Sequence, residues 1–206
     1  MVSRISKEYL KELTDKIACV NDQDAFAKLF HLFNTRLVDF SRTFVRSREQ
    51  AEEIVSDVFL KIWTNRSSLN TIGNLPSYLF IAVKNQSLNN IKVNNLSSMD
   101  APGFNPDQFD VFIDHFSPQR ELESRDLYRQ FDLIIDSLPS QCQAIFRLVK
   151  VEGFRYKEAA VILNLSPRTV ETQLVRAMTK LDEALSTRSQ QNLKADISPM
   201  MRKLTA

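Results

Sequence analysis

The chain has 206 residues, which allows one large folded domain or two small ones, and 43% of the residues are hydrophobic. Only three glycines occur, so the hairpin-turn signals of a β protein are scarce and a helical protein is expected. The net charge of +2 is unevenly spread, because residues 93–124 carry one basic and six acidic side chains, whereas residues 125–206 carry thirteen basic and nine acidic ones.

Residues 1–20 contain no apolar run long enough for a signal peptide or a membrane span, so a cytoplasmic protein is expected. Cys19 lies in this segment and Cys142 far beyond it, without CxxC spacing and without a neighbouring His pair. This arrangement supports neither a disulfide framework nor a zinc site. We predict no metal and no cofactor, and we expect Cys142 to be a small buried apolar residue.

A long amphipathic helix is predicted from Asp24 onward. Its apolar positions recur at alternating steps of four and three, which places them on one helical face. These positions are Phe26, Phe30, Phe33, Leu37, Phe40 and Phe44. The stripe of aromatic rings predicts a substantial hydrophobic core.

A second helix is predicted after Ser47, which has Gln50 three residues later in the pattern of a capping box. Its inward positions are Ala51, Ile54, Val55, Val58, Phe59, Ile62 and Trp63. A third helix is predicted after an N-cap at Asn74, with Pro76 in its first turn, and extends to about Lys92. Its predicted buried positions are Leu75, Leu79, Ala82 and Val83.

The helical pattern is lost after Lys92, and prolines and acidic residues follow. We predict a flexible acidic linker over residues 93–120, part of which docks through its phenylalanines. The pattern resumes at Glu121, with Leu127, Phe131, Ile134, Ile135 and Leu138 inward. Pro139 begins another helix, which contains Cys142, Ile145, Phe146 and Val149 and ends at Gly153. We predict domains at residues 1–92 and 121–185, and a polar tail at 186–206.

The segment from Tyr156 to Leu181 has the pattern of a helix-turn-helix. A short helix ends at Asn164, a residue that tolerates the left-handed backbone of a tight turn. Ser166 is a good N-cap for the next helix, and Pro167 fits its first turn. The inward stripe of this second helix is Val170, Leu174, Ala177, Met178 and Leu181.

The outward face of the second helix is polar and carries side chains that can bond base edges in a major groove. It contains Arg168, Thr169, Glu171, Thr172, Gln173, Arg176 and Lys180. Many solvated helices carry such residues. The turn residue, the Ser-Pro start and the polar face together favour DNA binding.

The segment from Leu138 to Leu181 resembles the fourth conserved region of bacterial sigma factors, although this helix-turn-helix also occurs in response regulators. Three earlier segments resemble successive parts of the second region of extracytoplasmic-function sigma factors, within the sigma-70 family. They are DAFAKLFHLFNTRLVDFSRTF, AEEIVSDVFLKIW and PSYLFIAVKNQSLNNIK. The resemblance covers about residues 23–92 and 125–185. It implies an all-α protein, with two small helical domains joined by a flexible acidic linker.

The resemblance implies that the second helix meets the β′ coiled coil of core RNA polymerase. The residues implied are Glu53, Ser56, Asp57, Lys61 and Trp63. It also implies that the third helix captures the −10 element as unstacked single strand, for which amides and cations are suited. The residues implied there are Lys84, Asn85, Gln86, Asn89, Asn90 and Lys92. The helix-turn-helix is implied to read the −35 element as duplex DNA.

Further partners implied by the resemblance are the polymerase β subunit and a membrane-associated anti-sigma factor that targets the exposed face of the second helix. The acidic linker is implied to run toward the active-site cleft of the polymerase. Two departures from the family pattern are visible. Ser56 stands where the family usually has Gln, and the third helix has few basic residues, so promoter melting is expected to depend on the holoenzyme.

Two other functions fit parts of the sequence. A free-standing helix-turn-helix regulator would use the N-terminal helices for sensing or dimerisation, although no phosphoacceptor βα pattern or ligand-pocket signature is present. A helical adaptor that binds only proteins would leave the polar recognition face unexplained. An enzyme is not expected, because His31 and His115 have no catalytic partners in the sequence.

Overall fold

The computed structural model describes residues 6–45, 47–97 and 135–188, and the side chains of 94–97 and 184–188 lie outside this description. All regular secondary structure in these ranges is helical, as predicted. The chain divides into two compact units, one with the N-terminal helices and one with most of the C-terminal helices. Most of the predicted acidic linker and of the predicted tail lies outside the described residues.

Among its described residues, the N-terminal unit has four α-helices and one 3₁₀ helix. They are α1 (Lys7–Val20), α2 (Gln23–Ser41), α3 (Arg48–Thr64), the 3₁₀ helix Arg66–Thr71 and α4 (Leu75–Ser97). Helices α2, α3 and α4 pack against one another, and α1 packs on α2 and on the 3₁₀ helix. Helix α4 extends to Ser97, beyond the predicted end near Lys92.

The first helix of this unit was not predicted. Helix α1 begins with Ser6 as N-cap, whose hydroxyl accepts a hydrogen bond from the Tyr9 amide at 3.1 Å. It buries Leu10, Leu13 and Ile17, which recur at steps of three and four. The many charged residues between them obscured this pattern in the sequence.

The starts of α3 and α4 agree with the sequence. The Ser47 hydroxyl accepts the Gln50 amide at 3.2 Å, and the Asn74 side chain accepts the Ser77 amide at 3.1 Å. These bonds satisfy amide groups that have no partner inside the helix. The predicted inward residues of α3 are buried, except that Trp63 is only half-buried.

The inward stripe of α2 is shifted from the prediction. Phe33, Leu37 and Phe40 are buried as expected, but the stripe continues toward the N-terminus through Leu29 and Ala25. The predicted members Phe26, Phe30 and Phe44 are only half-buried, and Phe44 lies beyond the end of the helix. Two rings expected in the core therefore remain at the surface of α2.

The buried faces of α2 and α4 pack against each other through both aromatic and polar contacts. The rings of Phe40 and Phe80 pack edge to face at 5.0 Å. Ser41 and Ser87 are fully buried and their hydroxyls lie 2.9 Å apart, while the Ser87 hydroxyl donates to the Val83 carbonyl at 2.8 Å. The small serines let the two helix backbones approach closely, and their hydrogen bonds remove the cost of burying hydroxyl groups.

Between residues 139 and 188 the structure describes three α-helices and a π-helical segment. They are α5 (Ser140–Phe146), the π-helix Arg147–Val151, α6 (Tyr156–Leu163) and α7 (Pro167–Arg188). The predicted end of the α5 segment at Gly153 is confirmed, because this residue has φ +76°. Among the residues described, no helix is both long and apolar enough to cross a membrane.

The π-helix changes which side chains of this segment face inward. Within it Leu148 is fully buried, whereas the predicted Val149 is half-buried. Arg147 is also buried, at 5% exposure, and its guanidinium lies 3.2 Å from the carboxylate of Asp136. Gln143 donates to the same carboxylate oxygen at 2.6 Å.

Candidate protein and nucleic-acid interfaces

The outward face of α3 combines acidic and apolar side chains. Glu53, Asp57 and Ser56 are exposed and recur with helical spacing, so they lie on one face, with Lys61 beside them. Leu60 continues the same row and is 64% exposed. Leu60 was not among the predicted site residues, although an apolar residue within a polar face was a visible signal.

An open apolar groove adjoins this face, formed between α2 and α3. Its lining is mainly aromatic and apolar and consists of Gln23, Phe26, Phe30, Ser56, Phe59, Leu60 and Trp63. The rings contact one another, with centroids 4.9 Å apart for Phe26 and Trp63 and for Phe30 and Phe59. Because the rings support each other, the groove exists before any partner binds. Ser56, which is small, keeps one side of the groove open.

Trp63 is held from the other side by Arg66. The Arg66 guanidinium stacks on the indole ring at 4.7 Å from its centroid, and its Nη1 donates to the Trp63 carbonyl at 2.9 Å. Its Nε donates to the side chain of Asn21, the left-handed C-cap of α1, at 2.5 Å. Arg66 therefore ties the end of α1 to the rim of the groove.

The residues predicted for single-strand DNA occupy different environments on α4. Asn85, Asn89 and Lys92 are exposed and share one row. Asn90 is half-buried. Gln86 is also half-buried, and its side-chain oxygen accepts a hydrogen bond from Lys61 Nζ at 2.8 Å.

Lys84 differs from the other predicted residues because it is buried, at 9% exposure. This burial lowers the pKa of its ammonium group. One further side chain extends the exposed row of α4. Tyr78 lies seven residues before Asn85 and is 43% exposed. Tyr78 was not among the predicted site residues, although an aromatic residue in register with amides is a recognisable signal for base stacking.

The helix-turn-helix has the predicted local structure. Asn164 has φ 57°, and the Leu165 amide after it bonds the Ala160 carbonyl at 2.9 Å. The Ser166 hydroxyl accepts the Thr169 amide at 3.0 Å and so caps α7. These bonds fix the angle between α6 and α7 and therefore the direction in which α7 presents its side chains.

The predicted recognition residues surround much of α7. Arg168, Thr172 and Arg176 recur at steps of four and are exposed on one row, whereas Thr169 is half-buried through its bond to Ser166. Glu171 and Lys180 are also exposed. Successive residues of an α-helix turn by about 100°, so positions 171 and 173 lie on opposite flanks of the row. Of the predicted inward stripe, only Met178 is not fully buried.

Gln173 is half-buried and contacts α5. Its side-chain oxygen accepts a hydrogen bond from the Cys142 thiol at 3.2 Å. Cys142 is buried, as predicted, and burial raises the pKa of its thiol, against the opposing effect of Lys180 and Arg176 nearby. Both cysteines are free.

Two family models match the chain. The model described as "Sigma-70 region 2" matches residues 29–95, and the model described as "Sigma-70, region 4" matches residues 128–181. The first covers α3, most of α2 and most of α4, and the second covers the helix-turn-helix. The two models match in the order that the sequence analysis expected.

Several characterised proteins are similar over most of their length. The "ECF RNA polymerase sigma factor EcfG" of Rhodopseudomonas palustris is 24% identical over 137 residues, which cover 66% of this chain and 72% of that protein. The "RNA polymerase sigma-H factor" of Pseudomonas aeruginosa is 20% identical over 188 residues, which cover 88% and 96% respectively. The "ECF RNA polymerase sigma factor SigW" of Bacillus subtilis is 21% identical and covers 80% and 90%.

Two solved structures share the fold. CnrH, solved "in complex with the cytosolic domain of CnrY", has a TM-score of 0.55 and 19% identity, and the match covers 87% of this chain and 98% of that chain. RpoE from Bartonella quintana, solved in complex with the anti-sigma factor NepR, has a TM-score of 0.59 and 22% identity, with coverage of 80% and 98%. At these identities the similarity concerns the fold.

Proposed function

Since this chain belongs to the extracytoplasmic-function group of the sigma-70 family and is a sigma factor that directs promoter-specific initiation, we propose that three of its faces divide the work. The α3 face and its groove bind core RNA polymerase, the exposed row of α4 captures the −10 element, and α7 reads the −35 element. Such a factor acts by binding and leaves the chemistry of RNA synthesis to the polymerase.

The α3 face is suited to a helical partner with basic and apolar side chains. Glu53 and Asp57 supply negative charge, and Leu60 with the adjoining rings supplies an apolar surface that is exposed in the free chain. Burial of such a surface under a partner is favourable, and the charges at its edge set orientation and association rate. We propose that the β′ coiled coil of the polymerase binds here and that the β subunit makes further contacts.

The row of Tyr78, Asn85, Asn89 and Lys92 is suited to unstacked bases. An exposed ring can stack on a base, and the amides can bond its edges once it leaves the duplex. Of the predicted residues, Lys84 and Gln86 are less available, because the first is buried and the second is bonded to Lys61. We therefore place the −10 contacts on the exposed row and add Tyr78 to it.

The exposed row of α7 is suited to a major groove. Arg168 lies in the first turn of the helix, where recognition helices approach base edges, and Thr172 and Arg176 follow on the same row. The arginines can pair with guanine or with phosphates. Lys180 and Thr169 lie beside this row, whereas Glu171 lies on the flank away from Gln173.

We further propose that an anti-sigma factor restrains this protein by covering the α3 face. Two proteins with this fold were solved with CnrY and with NepR respectively. A regulator that covers Leu60 and the groove would exclude the polymerase from the same surface, so binding of the two would be competitive. We also propose that this regulator is anchored in the membrane and that the complex of this chain with polymerase is cytoplasmic.

One observation supports this proposal above all. The two sigma regions match this chain in order, and the exposed faces of the matched helices have side chains suited to polymerase and to DNA. The test is run-off transcription from a genomic promoter library with core polymerase and this protein. We expect initiation at promoters that core polymerase alone ignores. Tight promoter binding without polymerase, combined with no association with core, would contradict the proposal and favour a free-standing regulator.

Variants separate the faces in the same assay. Replacing Glu53 and Asp57 by Ala should weaken core binding, and Glu12→Ala, which removes an exposed carboxylate from α1, is the matched control. Arg168→Ala should weaken recognition at one −35 position by about 1–3 kcal/mol if the side chain pairs with a base. Lys16→Ala removes a cation from the N-terminal unit and serves as its control. A uniform loss across all sequences would instead assign Arg168 to a phosphate.

A further inference from the structure

One recognition side chain of α7 is held in place by another helix before DNA binds. Gln173 Oε1 accepts a hydrogen bond from Cys142 Sγ, 3.2 Å away on α5, and Cys142 is buried where α5 packs on α7. The bond fixes which end of the Gln173 carboxamide faces inward. Since Oε1 points to the thiol, the Nε2 amide group is left for a ligand outside.

The thiol remains a hydrogen-bond donor at neutral pH. Burial raises the pKa of Cys142, and this effect exceeds the opposing effect of the cations Lys180 and Arg176. Only the protonated thiol can donate to the carboxamide oxygen, so the protonated state favoured by burial is also the state that orients Gln173.

We propose that Cys142 is a positioning residue that sets the base preference of Gln173, an inference that rests on the proposed reading of the −35 element by α7. A free glutamine recognises adenine with both ends of its carboxamide, since the oxygen accepts from N6 and the nitrogen donates to N7. Because the thiol turns Oε1 toward α5, Gln173 presents its N–H donors to the promoter.

A donor-only side chain favours a base edge that presents only acceptors. Guanine offers N7 and O6 in the major groove, whereas adenine also presents an amino donor, which Gln173 could no longer satisfy. Gln173 should therefore select guanine over adenine at the −35 position that it contacts. Replacing the thiol by an apolar group releases Oε1 and restores the ordinary pairing with adenine.

The test is run-off transcription by the complete holoenzyme on a promoter library randomised over the −35 element, with sequencing of the transcribed templates. The position read by Gln173 is the one where Gln173→Ala removes the base preference. At that position we expect the wild-type protein to favour guanine over adenine by about tenfold. Cys142→Ala should lower this ratio to near or below one, and Cys142→Ser, which keeps a donor, should retain it.

Two further variants make the result specific. Cys19→Ser changes the exposed cysteine of α1 and should leave the whole preference unchanged. Gln173→Glu keeps an oxygen for the thiol but offers the DNA only an acceptor, so the preference should move to cytosine, whose N4 group donates. This variant leaves Cys142 intact and therefore tests the geometry even if Cys142→Ala reduces stability.

The outcomes distinguish the inference from the function on which it rests. A wild-type preference for adenine at the Gln173 position, or an unchanged ratio in Cys142→Ala, would overturn the role of Cys142. If Arg168→Ala and Arg176→Ala change −35 preferences in that same experiment, α7 still reads the element. If these variants and Gln173→Ala all leave the −35 preferences unchanged, the reading by α7 fails and the inference fails with it.

Discussion

Leu60→Ala tests whether the side chain of Leu60 contributes to binding of polymerase or to the stability of the fold. This side chain is 64% exposed, so Leu60→Ala removes little buried area from the folded chain. Alanine also favours helix as well as leucine does. We therefore expect the free energy of unfolding to change by less than about 0.5 kcal/mol, as for surface substitutions generally.

The effect on polymerase binding should be much larger. Full burial of a leucine side chain contributes about 1.5–3 kcal/mol, and roughly two thirds of that gain remains to be made when a partner covers Leu60. The expected loss is therefore roughly 1–2 kcal/mol, which corresponds to roughly 5–30-fold in the dissociation constant. Fluorescence anisotropy of the labelled chain, titrated with core polymerase, measures this constant.

Val20 provides the matched control, because it is 68% exposed at the end of α1 and does not line the groove. Val20→Ala should leave both stability and core affinity unchanged. Unchanged affinity in Leu60→Ala, or an equal loss in Val20→Ala, would refute the assignment of the groove to the polymerase. If Leu60→Ala lowered the free energy of unfolding as much as the free energy of binding, Leu60 would be a residue that stabilises the fold.

Three further changes test the folded units. Ser87→Ala should destabilise the N-terminal unit by about 1–2 kcal/mol, because the buried Ser41 hydroxyl loses its partner. Urea unfolding, followed by the fluorescence of the single tryptophan, measures this loss. Changing both Ser41 and Ser87 to alanine should cost less than the sum of the two single changes. Asn164→Ala should cost about 1–2 kcal/mol because of its φ of 57°, whereas Asn164→Gly should not, and equal losses by circular dichroism would contradict this reason. Lys84→Met should raise the Tm at neutral pH, because burial lowers the pKa of Lys84 and disfavours its charged form. This gain in Tm should disappear as the pH approaches the pKa of lysine in the unfolded chain. A lower Tm of the variant at neutral pH would show that the ammonium group is stabilising.

Sequence periodicity predicted the helices with long apolar stripes and the helix-turn-helix. Asn164 and Ser166 could be assigned from sequence because their roles depend on local backbone geometry and on amides a few residues away. The resemblance to the sigma-70 family is confirmed by the two matched regions. Which individual residues contact polymerase or promoter stays a prediction.

Features that depend on packing between helices could not be predicted from the sequence. The apolar pattern of α2 fits two adjacent stripes, and only the position of α3 shows that Phe26 and Phe30 line a groove. Lys84 looked like a surface cation, but the neighbouring helices bury it. In each case the outcome depends on contacts between elements distant in sequence.

The packing of the N-terminal unit has a consequence for promoter opening. Buried contacts between α2 and α4 fix the direction of the exposed row of α4, and the bond between Lys61 and Gln86 links α4 to α3. Polymerase binding to α3 would therefore place this row over the DNA without having to reshape it. Of the two lysines of α4, only Lys92 is exposed, so the proposed −10 row would attract phosphates weakly and would act on bases after they unstack. The salt dependence of promoter binding should then arise mainly from the arginines of α7, and that of opening from the polymerase itself.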